Sequence, residues 1–466
     1  MNTRNLTLLT DLYELTMMQG YFETQENETV IFDVFFRNNP NNGGYSIMAG
    51  LDQVIDYIKN LNFSYEDVDY LRGLGIFTED FLHYLSGFHF SGDIYAIREG
   101  SVIFPKEPLL KIVAPIMEAQ LVETAILNII NHQCLIATKA SRVVYAAQGD
   151  GIMEFGLRRA QGPDAGLYGA RAAMIGGCVG TSNVLAGQMF DVPVMGTHAH
   201  SWIMSFKDEY TAFKEYARLY PNACTLLVDT YDTLKSGVPN AIRVFTEMRD
   251  AGIHPKSYGI RLDSGDLAYL SKKARKMLDE AGFTDAVIAA SNDLDEFLIN
   301  DLKIQGAKIG SWGVGTNLIT SKDCPSFGGV YKLSAIQNND GEFIPKIKIS
   351  ENVEKITNPG DKTIYRVYDK ETGKIRADLI CFADETWNEE DELLLFDPNA
   401  TWKKTRLPGG SYTMKEILLP IFKHGECIYE SPSVMEIAQF CKEEKETLWD
   451  ETKRLFNPHG VHVDLS

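Results

Sequence analysis

The sequence predicts an α/β protein: an irregular (β/α) barrel of about seven parallel strands, joined to an α+β domain and followed by a small C-terminal helical unit. Three observations predict it. Between residues 135 and 325, short apolar runs alternate with stretches of helical spacing, and repeated β-then-α units imply parallel strands with right-handed crossovers. Residues 1–134 lack that rhythm and mix strand-like with helix-like patterns. After residue 325 the rhythm stops.

In the first region, TVIFDVFFR (29–37) and GDIYAIREG (92–100) alternate as half-buried strands do, while GLDQVIDYIKNL (50–61) and MEAQLVETAILNIINHQC (117–134) repeat at helical spacing. The barrel strands are GIMEFG (151–156), CVGTSN (178–183), VPVMGT (192–197), TLLVDT (225–230), YGIRLD (258–263), AVIAASN (286–292) and KIGSWGVG (308–315). Helical stretches between them include SFKDEYTAFKEYARLY (205–220) and DLAYLSKKARKMLDEAG (266–282), the latter stopping on a glycine. This many units suits a closed or nearly closed barrel, with an open doubly wound sheet as the alternative. Beyond them, GGVYKLSAI (328–336) and PKIKIS (345–350) read as antiparallel strands, so 326–399 is assigned to the first domain. The tail, 400–466, opens basic and aromatic (WKKTRLPGGSY) and continues as SPSVMEIAQFCKEEKETLWDETKRLF, read as an appended helical unit.

Composition narrows the function. The 466 residues are 44% hydrophobic, enough for more than one core. Formal charge is 45 − 64 = −19, which repels a phosphate backbone and argues against nucleic acid as a partner. A small phosphorylated ligand in a local basic pocket is not excluded. Seven scattered cysteines without a C-x-x-C pair suggest reduced thiols and a cytoplasmic protein. The first residues carry Asp11 and Glu14 and do not read as a signal peptide. No apolar run is long enough for a membrane span.

Chemistry in such a barrel gathers at the C-terminal strand ends. Here those ends carry Phe155 and Arg158; Thr181, Ser182 and Asn183; Thr197, His198 and His200; Asp229; Arg261, Asp263, Ser264 and Asp266; Asn292 and Asp293; and Gly313, Gly315 and Thr316. Any single one is explained by meeting water or capping a helix, but the collection points to a site. SWGVGT (311–316) is a glycine-punctuated loop opening a helix, suited to an anion and equally to a plain tight turn. In RLDSGD (261–266), one aspartate suits a helix cap, and the other suits ribose hydroxyls or Mg²⁺. FGLRRAQG (155–162) offers an aromatic face and guanidinium groups, fitting a flat anionic heteroaromatic ligand. The pair in VPVMGTHAHSW (192–202), His198 and His200, could hold a metal, do chemistry or cap a helix.

These motifs, TDLYELTMMQGY (10–21), EFGLRRAQGPD (154–164), GTSNVLAG (180–187), GTHAHSW (196–202), RLDSGDL (261–267), GVGTNL (313–318) and GGVYKL (328–333), in this order and spacing, resemble those of nicotinate phosphoribosyltransferases, a type II phosphoribosyltransferase family, over nearly the whole chain. The resemblance implies transfer of phosphoribosyl from 5-phosphoribosyl 1-diphosphate to nicotinate in NAD salvage, giving nicotinate mononucleotide and diphosphate. It also implies coupling to ATP hydrolysis through a phosphohistidine, with Mg²⁺. It places that histidine at His200, with Asp229 and Asp263 as carboxylates facing the ribose and the phosphorylated ring; from the residues themselves, Asp263 is the aspartate assigned to Mg²⁺. Tyr13, Phe155, Arg158, Ser182, Thr197 and Arg261 fall on nicotinate-binding positions. Asn292, Gly313, Gly315 and Thr316 fall on the phosphoribosyl and phosphate cradle. Tyr13 is implied to come from a second subunit of a homodimer with shared active sites. Nicotinamide-using relatives have Asp where this chain has Ser182, so the neutral residue favours the acid. His198 occupies a variable position and is expected to be dispensable.

Two other readings compete. A barrel metallohydrolase would use the His-x-His pair with a further ligand from a later strand, but none of the nine histidines ends a later strand. A non-catalytic barrel binding a phosphorylated metabolite would not need so many ionisable groups on one rim.

Overall fold

The computed structural model describes residues 4–24, 26–349, 357–397 and 400–465. Contacts divide the chain into two units, 1–138 with 326–466, and 139–325.

The first unit holds two larger sheets. In a seven-stranded antiparallel sheet, Thr29–Phe36 lies between Gly329–Gln337 and Leu110–Pro115. Every residue of Thr29–Phe36 after Thr29 is buried, so both faces of this strand are covered. Its apolar neighbours include Met18, Val54, Ile58 and Ile126 from helices Leu12–Thr24, Leu51–Lys59 and Glu123–Ala146. The expected strand at 345–350 is shorter and earlier, Phe343–Pro345; residue 350 lies outside the described residues.

The tail corrects the expectation of a helical unit. Ala400–Leu407, Tyr412–Glu416 and His462–Leu465 join a six-stranded sheet with Lys362–Asp369, Ile375–Phe382 and Leu393–Asp397. Leu418–Lys423 and Glu426–Cys427 extend the seven-stranded one. The physical reason is that Ala400–Leu407 and Tyr412–Glu416 are the two edge strands of the six-stranded sheet, where few of the described side chains are buried and exposed basic residues dominate the sequence. Leu407 and Tyr412 are buried on either side of the Pro408–Gly410 turn, while Arg406 and Lys415 face water. Among the described residues of the tail, only Val434–Glu446, started by a Ser433/Glu436 capping box, and the short Asp450–Lys453 are helical.

The second unit carries the β/α repeat. Its sheet has six strands, all parallel, in the order Gly180–Thr181, Gly151–Glu154, Ser311–Val314, Val287–Ala290, Ser257–Leu262, Ala223–Leu227. This is a half-barrel, not a closed ring of seven. The expected strand at 192–197 is reduced to a bridge between Val194 and Thr181. Pro193 has no N–H to donate, and Pro193–Gly196 are exposed. Two bonds remain, Thr181 N–H to Pro193 O (3.0 Å) and Met195 N–H to Thr181 O (2.9 Å). Helices Val184–Phe190, Glu209–Leu219, Leu267–Glu280 and Glu296–Ile304 start on side-chain caps from Asn183, Asp208, Asp266 and Asp295. Because all six strands run the same way, their C-terminal ends fall along one edge. Among the described residues, no helix is long and apolar enough to cross a membrane.

Candidate active site

The two histidines after the 192–197 run have different surroundings. His198 is buried, with its ring edge-on to Tyr216 at 4.6 Å between centroids. Its Nε2 accepts the Leu227 backbone N–H at 3.3 Å, which requires a neutral ring protonated on Nδ1. Burial, with smaller contributions from the Arg261 and His200 charges, pushes its pKa down to about 4. It is a core histidine tying the 198–200 loop to the strand Ala223–Leu227. His200 starts the helix His200–Met204 and stays partly exposed. Its Nε2 lies 3.0 Å from Asp229 Oδ1. A carboxylate can only accept there, so Nε2 carries a proton, and in the neutral ring Nδ1 keeps its lone pair.

Asp229 is the hub. Its side chain is 1% exposed. The second oxygen, Oδ2, accepts the Asp263 backbone N–H at 2.8 Å and the Ser264 hydroxyl at 2.6 Å. One carboxylate therefore joins the His200 helix to the loop after Ser257–Leu262. Near the end of that strand, Arg261 spreads its donors three ways: Nη1 to Thr197 Oγ1 (2.7 Å), Nε to Ser291 Oγ (2.9 Å) and Nη2 to Asp263 Oδ1 (3.0 Å). Ser291 in turn donates to Asp263. The guanidinium carbon sits 6.0 Å from the centroid of the Phe155 ring, which leaves a flat guanidinium and an aromatic face beside one another. Asp266 takes the ordinary use, capping Leu267–Glu280 through the Tyr269 N–H.

Phe155 connects this cluster to the last strand. Its N–H donates to Val314 O at 2.8 Å. A Cβ on Gly313 would lie 2.5 Å from the Phe155 ring, and one on Gly315 would lie 3.2 Å from the Phe155 carbonyl. Close approach thus leaves no room for a side chain at Gly313 without moving Phe155, and makes Gly315 a tight fit. Thr316 follows as the first residue of the short helix Thr316–Ile319. One strand away, Asn292 has φ +105° and Asp293 φ +42°, a left-handed pair that side-chain-bearing residues adopt at a cost. His200, Thr197, Asp229, Arg261, Asp263 and Phe155 are brought together by these contacts.

Other expected residues sit differently. Arg158 is exposed in the Leu157–Arg159 turn. Ser182 is half-buried, its N–H bonded to the Glu154 carbonyl at 3.0 Å. Tyr13 belongs to the first unit, 45% exposed on Leu12–Thr24. Partial burial, then the charges of Glu123 and Glu14, push its hydroxyl up to about 12. Two members of the network were not singled out from the sequence. Ser291 follows an apolar strand and looks like an ordinary strand end. Glu154 is a fully buried carboxylate that accepts from Thr181 Oγ1 (2.6 Å) and from the Gly156 N–H; burial raises its pKa. Its signal was visible, an acid inside the apolar run GIMEF.

A resident multi-ligand metal is not supported by these contacts. Among the described residues, no three His, Cys, Asp or Glu side chains converge as metal ligands. His198 and His200 are engaged by different partners, so the metallohydrolase reading loses its ligand pair. Mg²⁺ makes smaller demands, one or two carboxylates with substrate phosphates and water. Asp263, with 30% of its side-chain surface exposed, fits that role.

Comparisons with known proteins identify the family. Three family models match: the nicotinate phosphoribosyltransferase N-terminal domain over residues 8–131, the nicotinate phosphoribosyltransferase family over 151–372, and its C-terminal domain over 361–466. A nicotinate phosphoribosyltransferase of Bacillus subtilis is 48% identical over 463 residues, covering 99% of this chain and 93% of its own. The human enzyme of that name is 31% identical, covering 98% and 94%. The crystal structure of human nicotinic acid phosphoribosyltransferase superposes with a TM-score of 0.84 at 28% identity, covering 98% of this chain and 97% of the other. A nicotinate-nucleotide pyrophosphorylase from Pyrococcus furiosus shares the fold at a TM-score of 0.72 and 23% identity, covering 95% and 96%. The chain belongs to the nicotinate phosphoribosyltransferase family.

Proposed function

We propose that this chain joins nicotinate to 5-phosphoribosyl 1-diphosphate, giving nicotinate mononucleotide and diphosphate for NAD salvage, and couples the transfer to ATP hydrolysis through His200. The observation that carries the ATP-coupled part is the His200–Asp229 pair. With Nε2–H directed at Asp229, Nδ1 is the nucleophilic nitrogen. It attacks the terminal phosphorus of ATP, the bond to the bridging oxygen breaks, and ADP leaves. Asp229 steadies the positive charge on the ring as the N–P bond forms. Water later cleaves the N–P bond and returns neutral His200 and phosphate. Such a cycle does work only if the phosphorylated and free states differ in affinity for substrate and product.

In the transfer, the pyridine nitrogen attacks C1 of the ribose and the C1–diphosphate bond breaks, with positive charge gathering on the sugar. Arg261 and Phe155 hold the pyridine carboxylate and ring, with Thr197 and Arg158 beside them, and Asp263 faces the developing charge. Asn292, Gly313, Gly315 and Thr316 cradle the phosphoribosyl phosphate. Asp263 would hold Mg²⁺, which when bound would supply charge neutralisation for the leaving diphosphate. Ser182 leaves the pocket neutral toward a carboxylate. Tyr13 reaches the nicotinate of a neighbouring subunit in a cytoplasmic homodimer. The test is product analysis with nicotinate, nicotinamide and quinolinate offered side by side, with and without ATP. Nicotinate mononucleotide as the main product, increased by ATP, is expected. Turnover unchanged by ATP, or label from γ-labelled ATP absent from the protein, refutes the coupling.

A further inference from the structure

The loop after the strand Val287–Ala290 holds two consecutive side-chain-bearing residues in the left-handed region, Asn292 at φ +105° and Asp293 at φ +42°. Such a conformation persists only where the surroundings hold it. The downstream end is fixed independently. Asp295 caps the next helix through the Leu298 N–H at 2.7 Å, and the buried Glu296 pairs with Lys139 (2.7 Å) and Arg142 (2.9 Å). The carbonyls between the strained pair and that anchor meet one side chain from the neighbouring strand's loop. Asn317 Nδ2 donates to Asp293 O at 2.8 Å and to Leu294 O at 3.1 Å. Asn317 is itself buried at 9% exposure, in the second position of the Thr316–Ile319 helix. Its two amide protons are thus spent on the backbone of the loop one strand away, and its neighbours Gly315 and Thr316 lie on the proposed phosphate cradle.

We propose that Asn317 is a positioning residue: its side-chain amide holds the Asn292–Asp293 backbone in the left-handed conformation that presents Asn292 to the phosphoribosyl donor. The inference rests on the reading of Asn292 as a donor contact given above. An amide suits the task because one nitrogen carries two donors and no charge, so two adjacent carbonyls are satisfied from a buried position. An aspartate there would set an acceptor against two acceptors.

The test combines hydrogen–deuterium exchange of a peptide spanning 291–299 with steady-state kinetics. Asn317→Ala removes both donors, and Asn317→Ser, which keeps one, serves if the alanine variant does not fold. Expected are exchange at least tenfold faster in that peptide, a donor KM raised at least tenfold and a nicotinate KM changed less than twofold. Adding Asp293→Gly, which lowers the intrinsic cost of positive φ, should recover at least threefold of the donor KM. Unchanged exchange in the loop, or both KM values rising together, overturns the inference. A donor KM raised by Asn292→Ala but not by the Asn317 variants overturns the inference alone. A donor KM unmoved by Asn292→Ala overturns the reading of Asn292, and the inference with it.

Discussion

Replacing Asp229 with asparagine isolates the step on which ATP coupling depends. The substitution keeps shape and removes charge, and the hydrogen bonds dictate how the amide must sit. At Oδ2 the native carboxylate accepts two donors, the Asp263 N–H and the Ser264 hydroxyl, so the amide oxygen stays there. The NH₂ then faces His200 Nε2, 3.0 Å away in the native protein. A donor in that place makes Nε2 an acceptor and moves the ring proton to Nδ1, which removes the nucleophilic lone pair. Restoring the reactive tautomer sets two N–H groups against each other. Two unpaired buried donors cost about 2–6 kcal/mol at about 1–3 kcal/mol each. The partly exposed ring of His200 places this case in the lower half, about 2–4 kcal/mol, or roughly 30- to 1,000-fold in rate. The assay is rapid-quench labelling of the protein from γ-labelled ATP under single-turnover conditions. Asp229→Asn labelled within threefold of the native rate would refute the tautomer argument.

Other substitutions address the pyridine site and the core. Ser182→Asp should lower nicotinate use roughly 30- to 1,000-fold while sparing nicotinamide, from carboxylate repulsion of about 2–4 kcal/mol at separations of roughly 4–8 Å and an effective dielectric of about 20; unchanged selectivity in competition assays would remove Ser182 from the base site. Gly313→Ala forces the Phe155 ring away from a Cβ at 2.5 Å, with an overpacking cost of about 1–3 kcal/mol. Its nicotinate KM should rise while labelling by ATP proceeds normally, and a loss confined to labelling contradicts the placement of Phe155. His198 titrates near 4 when folded against an ordinary 6.5, so below about pH 6.5 the unfolded chain takes up a proton that the folded one refuses. Stability should therefore be fully present above pH 6.5 and fall toward pH 4, by at most about 1.4 kcal/mol per pH unit from this group. His198→Gln, which keeps an acceptor for the Leu227 N–H, should flatten that acid limb in denaturant melts; identical limbs would show that His198 does not set it.

The strand–helix rhythm of residues 135–325 was legible because parallel strands read as short apolar runs and their ends carry the polar residues. Closure was not legible. VPVMGT has a strand's composition, and only hydrogen bonding shows that Pro193 and its exposed neighbours pair with Thr181 alone. The tail misled for a related reason: the lysines and arginines of 402–406 and the strongly helical 433–446 concealed strands, one paired as a hairpin with Leu393–Asp397 and others paired with Lys362–Asp369 and Asp93–Ile97 far back in the chain. At the site, His200, Asp229, Arg261 and Phe155 were readable from motif and strand-end position. The contrast between His198 and His200 was not readable from spacing, because it depends on which ring meets Tyr216 and which meets a carboxylate. Ser291 and Asn317 were hidden for the same reason, since each acts on a neighbouring strand's loop and neither has a composition that separates it from an ordinary strand end or helix start.

The most direct measurement is the identity of the phosphorylated atom. The protein is incubated with ATP in the absence of nicotinate, and the acid-labile product is examined by phosphorus NMR and by tandem mass spectrometry of its peptides. The account predicts one phosphoryl group per chain, on Nδ1 of His200. Phosphate on Nε2, on another residue or on none would contradict it.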